Sequence, residues 1–195
     1  FSLMAGEMAV CLQQSDLTFD TLVGVSEGGR VAISLGEQLG VETVVTVDPP
    51  GTDEQHILTF MKRFAIDEAK GQKAVLEHTP DTEMALAHKK VDSKLLAKQG
   101  LAAVRRDLLS RARVMAKAGL ADDVKAATAK GVTIVDYRAG GSTFANSEVA
   151  VSLAKTTPGY NAVVLKDAPH GINEGSPYVI LSLVQQAKYL LDSKK

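Results

Sequence analysis

Two patterns of apolar and polar residues alternate along the chain, one typical of strands and one typical of helices. Short, continuous apolar runs rich in β-branched residues are typical of buried parallel strands. We expect four of them, at residues 20–24, 41–47, 132–137 and 162–165. Apolar residues that recur every three or four positions predict helices instead. The clearest lie at residues 2–14, 29–39, 145–155 and 177–191. Strands separated by helices pair in parallel, so we expect an α/β fold, a mostly parallel sheet with helices on both faces.

A long block of helical pattern without strands, residues 52–130, interrupts this rhythm. Glycines should break it into separate helices, with Gly71 ending the first and Gly100 a later one. The helices expected after Gly71 lie at residues 84–96, 101–118 and 120–129. We predict that 52–130 is a helical cap or lid over the carboxyl ends of the strands, and that 1–51 and 131–195 form the core. Apolar cap residues could line a pocket or pack onto the sheet: Ile57, Leu58, Phe60, Met61, Phe64, Met84, Leu86 and Met115.

A G-x-S-x-G pentapeptide, Gly24-Val25-Ser26-Glu27-Gly28, joins the first predicted strand to the next helix. In that context the pattern is typical of a nucleophile elbow, in which a strained turn exposes the serine hydroxyl. Gly24 and Gly28 should lie where the two backbones approach too closely for a Cβ. The helix N-terminus would offer N–H groups to an anion formed there. The alternative is an ordinary glycine-rich turn with an incidental serine.

Composition narrows the functional classes. The net charge is −1 and the chain is 45% hydrophobic and 23% charged, which does not suit a nucleic-acid surface built from clustered cations. Cys11 is the one cysteine, so neither a disulfide framework nor a cysteine zinc site is expected, and its helical position predicts burial in the core. The histidines lack a metal-binding spacing such as H-E-x-x-H, so we expect no metal or cofactor.

The sequence contains neither an apolar run of ~18 residues nor a visible signal peptide. We therefore expect no membrane span and a soluble protein, with the cytoplasm as the first choice of an otherwise unknown compartment. The chain opens on Phe1 rather than Met, directly in a helical pattern, which suggests part of a longer polypeptide.

The order of the elbow and a later histidine resembles the α/β-hydrolase superfamily of serine esterases and lipases. Residues 166–171, Lys-Asp-Ala-Pro-His-Gly, look like the loop that carries the family's catalytic histidine. Nearly the whole chain fits the C-terminal two-thirds of that fold. The resemblance implies that Ser26 is the nucleophile, that His170 is the base and that the Glu27 N–H belongs to the oxyanion hole. Alternatively, His170 is a loop histidine with a local hydrogen bond.

The acid departs from the family's usual pattern. It normally follows the penultimate strand, where this chain has Arg-Ala-Gly-Gly-Ser-Thr at 138–143, with Ser142 near the acid's place. In lipases of the pancreatic type the acid lies in an Asp-Pro phrase one strand earlier, which Asp48-Pro49 resembles. We prefer Asp48 as the acid, with Asp136 as the alternative and a missing acid as a third possibility. Asp48 could instead be a carboxylate satisfied by turn N–H groups.

Four strands that normally precede this part of the fold are not represented, including the loop that supplies the second oxyanion donor. The edge of the strand at 20–24 would then be unpaired, so we expect an upstream segment or a second protein chain to cover it. The resemblance implies a serine hydrolase that acts on a carboxylic ester or related small acyl substrate. The alternative is a non-catalytic hydrolase-like fold, a structural or binding module in a larger assembly.

Overall fold

A computed structural model describes residues 1–15, 17–78, 109–143, 145–170 and 177–193. Helices and strands alternate through most of it. The strands are β1 (Thr21–Val25), β2 (Thr43–Val47), β3 (Thr133–Ala139) and β4 (Tyr160–Leu165). The helices are α1 (Ser2–Gln13), α2 (Glu27–Leu39), α3 (Ile57–His78), α4 (residues 109–115), α5 (Leu120–Ala129), α6 (Ser147–Thr156) and α7 (Pro177–Asp192). The four predicted strands are confirmed with boundaries shifted by a few residues.

The strands form one parallel sheet in the order β1-β2-β3-β4. Val25, the last residue of β1, pairs with Val47, and Val47 pairs with Tyr137. Because parallel strands share a direction, the loops that follow them leave from the same edge. Residues 26 and 48 and the loop that begins at residue 140 are therefore brought to one edge of the sheet by the register.

Side chains alternate across the sheet and bury two separate clusters. On one face Val44 and Ile134 pack against helices α2 and α5. On the other face Val45 and Val135 pack against α7. The predicted α/β architecture with helices on both faces is thus confirmed. Helix α5 falls inside the segment predicted as a cap, yet it packs on the sheet face beside α2, so α5 belongs with the sheet layers.

Helix α1 packs on α2 through its small residues. Ala5 and Ala9 are buried against Val31 and Leu35. The prediction that Cys11 lies in the core is wrong, since Cys11 is exposed. Larger apolar residues of α1 share that exposure: Leu3, Met4, Met8 and Val10. The helix is apolar on nearly every side, so periodicity could not identify the buried face, whereas alanines let two helices approach closely.

Helix α3 continues through Gly71 to His78, so the predicted break at Gly71 is wrong. A glycine inside a helix costs only about 1 kcal/mol, which packing elsewhere can offset. Phe60 of α3 supplies such packing, because it is buried against Ala112 and Met115. Within the described parts of 52–130 the regular elements are helices. The predicted helix at 84–96, with Met84, Leu86 and His88, and the predicted break at Gly100 lie outside the described residues.

Candidate active site

Ser26 occupies a sharp turn between β1 and α2. Its backbone has φ 50° and ψ −125°, a combination that residues other than glycine rarely adopt. Its N–H donates to Val47 O at 2.8 Å, which ties the turn to β2. The crossing of β1 and α2 explains the turn, since a Cβ on Gly24 would lie 2.2 Å from Gly28 O. Only glycine at position 24 allows the helix to start so close to the strand.

The prediction that Gly28 also lacks space for a Cβ is wrong. Nothing lies within 4 Å of the Cβ position at Gly28. Its backbone is what crowds Gly24, while its own side-chain direction points into open space. The tight neighbour is Gly29, whose Cβ would lie 3.0 Å from Pro49 Cβ. The glycine spacing predicts that β1 and α2 approach each other closely. Which glycine faces the strand depends on the rotation of α2 about its axis, and the sequence does not specify that rotation.

Asp48 lies in the first turn after β2 and is fully buried. Its backbone φ is 49°, and its N–H donates to Tyr137 O at 2.7 Å. One carboxylate oxygen, Oδ1, accepts from the Ala139 N–H at 3.2 Å. The other, Oδ2, lies 2.6 Å from His170 Nδ1. The N–H partner of Asp48 thus belongs to the end of strand β3 and not to its own turn, and the second oxygen is left for the histidine.

His170 follows β4 and reaches across the sheet edge. Its ring is 4% exposed, with Nε2 3.0 Å from Ser26 Oγ and Nδ1 against Asp48. An ionised carboxylate only accepts hydrogen bonds, so the proton is assigned to Nδ1 and the Ser26 hydroxyl donates to Nε2. The ring of Phe64, from α3, meets the imidazole edge-on with centroids 6.1 Å apart. Ser26, His170 and Asp48 therefore form one continuous hydrogen-bonded chain.

The second acid candidate, Asp136, belongs to a different buried network. Its Oδ1 accepts from Thr46 Oγ1 at 2.8 Å, and its Oδ2 accepts from Arg138 Nε at 2.7 Å and from the Tyr160 hydroxyl. Asp136 faces the α2 and α5 side because it lies two residues after Ile134. The position of Asp136 along β3 therefore points its side chain into this buried network and away from His170.

The surroundings of this network keep both Tyr160 and Arg138 protonated. Burial and the neighbouring Asp136 carboxylate both raise the pKa of Tyr160, so the phenol remains a donor. Burial alone would lower the pKa of Arg138, but its attraction to the Asp136 and Asp48 carboxylates outweighs that effect and raises it. Asp136 and Arg138 therefore form a buried ion pair.

Polar contacts join helices α3 and α4 to the site. Arg111, in α4, donates from Nε to Glu27 Oε2 at 3.0 Å, directly after Ser26. Asp67, in α3, is buried and accepts from Ser142 Oγ at 3.1 Å and from Thr143 Oγ1 at 2.9 Å. Ser142, at the family's usual acid position, thus binds a carboxylate from another element. The sequence offered no periodic signal for either contact.

Sequence reasoning also missed Arg138, Thr46 and Tyr160. A usable signal existed, since Asp136 and Arg138 lie two positions apart in an otherwise apolar strand. That spacing places opposite charges on one face of a strand, where burial requires them to pair. The partners from β2 and β4 depend on the register between strands, which pattern alone does not determine.

Among the His, Cys, Asp and Glu side chains of the described residues, no group of three could hold a metal ion. Over the same residues, no helix is both long enough and apolar enough to cross a bilayer.

Comparison with known proteins gives the fold. No protein-family model matches the sequence, and no curated protein matches it significantly. Solved structures do match. An esterase from Exiguobacterium antarcticum has a TM-score of 0.62 at 15% identity, over 95% of this chain and 72% of the esterase. A thermophilic esterase from Thermogutta terrifontis has a TM-score of 0.57 at 18% identity, over 96% and 71%.

A third match is a carboxylesterase of Nitrososphaera gargenis, with a TM-score of 0.58 at 12% identity, over 98% of this chain and 72% of that one. All three are α/β hydrolases, and the chain has the α/β-hydrolase fold. Sequence identities this low establish the fold but not the activity, which depends on the residues of the site.

Proposed function

We propose that this protein is a serine hydrolase that cleaves a carboxylic ester or related acyl substrate. Ser26 would be the nucleophile, His170 the general base and Asp48 the acid that orients the histidine. One observation carries the proposal: Ser26 Oγ, His170 and Asp48 Oδ2 are linked in series, at 3.0 Å and 2.6 Å. Serine is a weak nucleophile unless a base removes its proton, and this geometry supplies that base.

The reaction follows from the atoms in contact. Ser26 Oγ attacks the acyl carbon while its proton passes to His170 Nε2. The Asp48 carboxylate holds the Nδ1 proton and stabilises the imidazolium that forms. When the tetrahedral intermediate collapses, the bond to the leaving group breaks and Nε2 returns the proton to that group. A water molecule then attacks the acyl-enzyme by the same route, which releases the acid and restores Ser26.

The carbonyl oxygen gains negative charge during the attack and needs hydrogen-bond donors. Glu27 is the first residue of α2, and the first N–H groups of a helix have no partner within it. We propose that the Glu27 N–H donates to this oxyanion, with the helix dipole adding to the effect. A single oxyanion donor typically contributes about 3–4 kcal/mol to the transition state.

We also propose that helices α3 and α4 form part of a cap over the nucleophile. Phe64 touches the His170 ring, and Arg111 is paired with Glu27. Both contacts lie beside Ser26. Phe64 belongs to an apolar cluster with Phe60 and Met115, which suits a small apolar acyl group better than a charged substrate. Such a cap would exclude water while the ester is positioned.

A short p-nitrophenyl ester tests the proposal. The wild-type protein should hydrolyse it, and Ser26→Ala should abolish turnover while the far-UV circular dichroism stays unchanged. Ser152→Ala, an exposed serine of α6, is the matched control and should retain full activity. Equal activity in Ser26→Ala and the wild type would refute the assignment of the nucleophile.

An alternative from a different class is a hydrolase-like module without turnover, held in a larger assembly. Exposed apolar residues of α1, of the segment before β1 and of β1 itself favour it, among them Leu3, Leu17 and Val23. We propose that an upstream segment or a second protein chain covers this edge in either case. The two functions differ in one respect, since only an enzyme requires an activated Ser26 hydroxyl.

A further inference from the structure

Three consecutive residues at the end of β3 each form one hydrogen bond with the turn that contains Asp48. Tyr137 O accepts from the Asp48 N–H at 2.7 Å, and the Ala139 N–H donates to Asp48 Oδ1 at 3.2 Å. Between them, Arg138 Nη1 donates to Pro49 O at 2.7 Å. The backbone on both sides of the carboxylate is therefore fixed by a single neighbouring strand.

The turn needs such support because Asp48 has φ 49°. Residues with a Cβ rarely adopt this conformation, and it persists only where the surroundings hold it in place. The buried Asp136–Arg138 pair holds both flanks. Asp136 binds Thr46 before Asp48, and Arg138 binds Pro49 after it.

Stability alone does not explain a buried arginine here. Arg138 is fully buried, and within the described residues its Nη2 has no hydrogen-bond partner. A buried ion pair loses much of its attraction to desolvation, and an unpaired donor adds a further penalty. Apolar residues of similar volume often serve stability equally well. What an apolar side chain cannot do is donate to Pro49 O.

We propose that Arg138 is a positioning residue for the acid: by holding Pro49 O, it keeps the Asp48 carboxylate against His170 Nδ1. This role rests on the proposed hydrolase function. Arg138 acts on the acid and not on the substrate: it donates to Pro49 O, directly after Asp48, and its charge attracts the Asp48 carboxylate. The guanidinium fork suits the task, because it reaches Asp136 with Nε and Pro49 with Nη1 at once.

Steady-state kinetics on the p-nitrophenyl ester test this role. Arg138→Lys keeps the charge but has one compact donor group, which cannot reproduce the fork. It should lower kcat by about 10²-fold at an unchanged KM, because a small misplacement of a catalytic group costs about that much. Lys155→Arg, a lysine–arginine exchange at an exposed position of α6, is the control and should leave kcat unchanged.

A second variant keeps the test valid if Arg138→Lys folds poorly. The double variant Arg138→Met with Asp136→Asn leaves no unpaired charge in the interior, so it should fold and show the same loss of kcat. Circular dichroism and thermal unfolding verify the fold of each variant. A kcat equal to that of the wild type in both variants would overturn the proposal.

Coupling to Asp48 separates positioning from a general structural effect. If Arg138 acts through Asp48, then Arg138→Lys causes no further loss of kcat in an Asp48→Asn background. The same loss in both backgrounds would show a merely structural role and overturn the proposal. If the wild type lacks Ser26-dependent turnover, the hydrolase function fails and this role fails with it. If the wild type is active while Arg138 variants are normal, only the positioning role fails.

Discussion

Asp48 combines two properties that suit the acid of a charge-stabilising triad. It is fully buried, and its two oxygens have separate partners, Ala139 N–H on Oδ1 and His170 Nδ1 on Oδ2. The backbone contact fixes the carboxylate plane, so the second oxygen is aimed at the imidazole. A carboxylate held in this way can select the tautomer in which Nε2 is free to take the serine proton.

Substitution of the two candidate acids should separate their roles. Asp48→Asn should lower kcat by about 10²- to 10⁴-fold with little change in KM, because the wrong tautomer and orientation of His170 are then favoured. Asp136→Asn should mainly lower the free energy of unfolding, since it weakens a buried pair. Kinetics and chemical denaturation of both variants check this. The reverse pattern would restore the family's more usual placement of the acid.

At the residue scale, the sequence identified the candidate site residues best where a reactive side chain follows a predicted strand. The G-x-S-x-G pattern selected Ser26, and the resemblance to α/β hydrolases selected His170 and Asp48. All three follow strands at one edge of the sheet. Their contacts stay within hydrogen-bond reach in the structure. Arg138 could not be selected, since its importance depends on which carbonyl of β2 lies beside β3, and that requires the strand register.

At the element scale, the junction of β1 and α2 determines where the serine stands. Gly24 lets the helix begin directly against the strand, and Ser26 takes the strained conformation between them. The strand–helix pattern predicted this junction from apolar periodicity and two glycines. It could not predict which glycine is sterically required, because that depends on side-chain direction.

A pair of alanine substitutions tests the junction. Gly24→Ala should destabilise the fold by about 3 kcal/mol or more, because its Cβ would overlap the Gly28 backbone. Gly28→Ala is the matched control. Its Cβ points into open space, so the change should be neutral or stabilise α2 by up to about 1 kcal/mol. Thermal unfolding measures both. An equal loss of stability in the two variants would contradict this account of the turn.

Two element predictions failed where the local sequence signal is weak. Helix α3 passes through Gly71, and α1 buries alanines in place of Cys11. In both cases the local sequence signal is weak: a glycine within a helix costs only about 1 kcal/mol, and α1 is apolar on nearly every side, so its buried face cannot be identified from the pattern. The strands were predicted more reliably, because a β-branched run between turn residues has few alternative structures.

At the scale of the whole molecule, exposed apolar side chains concentrate on α1 and the approach to β1. Leu3 is 79% exposed, Leu17 63% and Val10 54%. In the described sheet β1 has a neighbour on one side only. Strand edges and apolar patches of this kind promote association unless something covers them.

The 195-residue chain by itself should therefore self-associate at micromolar concentration. Leu3→Lys should weaken the association, since it places a charge in the apolar patch. Leu181→Lys, at an exposed leucine of α7, is the matched control and should leave it unchanged. Light scattering coupled to size exclusion measures the mass. A strictly monomeric wild type over the same concentrations would argue against an interface here.

The central claim is that Ser26 is an activated nucleophile, and covalent labelling tests it most directly. A fluorophosphonate probe reacts with a serine hydroxyl that a neighbouring base has activated. Mass spectrometry of the labelled, digested protein should show one adduct on the peptide that contains Ser26. His170→Ala should lose the adduct, because the base is absent, while circular dichroism shows an intact fold. An unlabelled Ser26 in folded wild-type protein would contradict the account and favour the non-catalytic module.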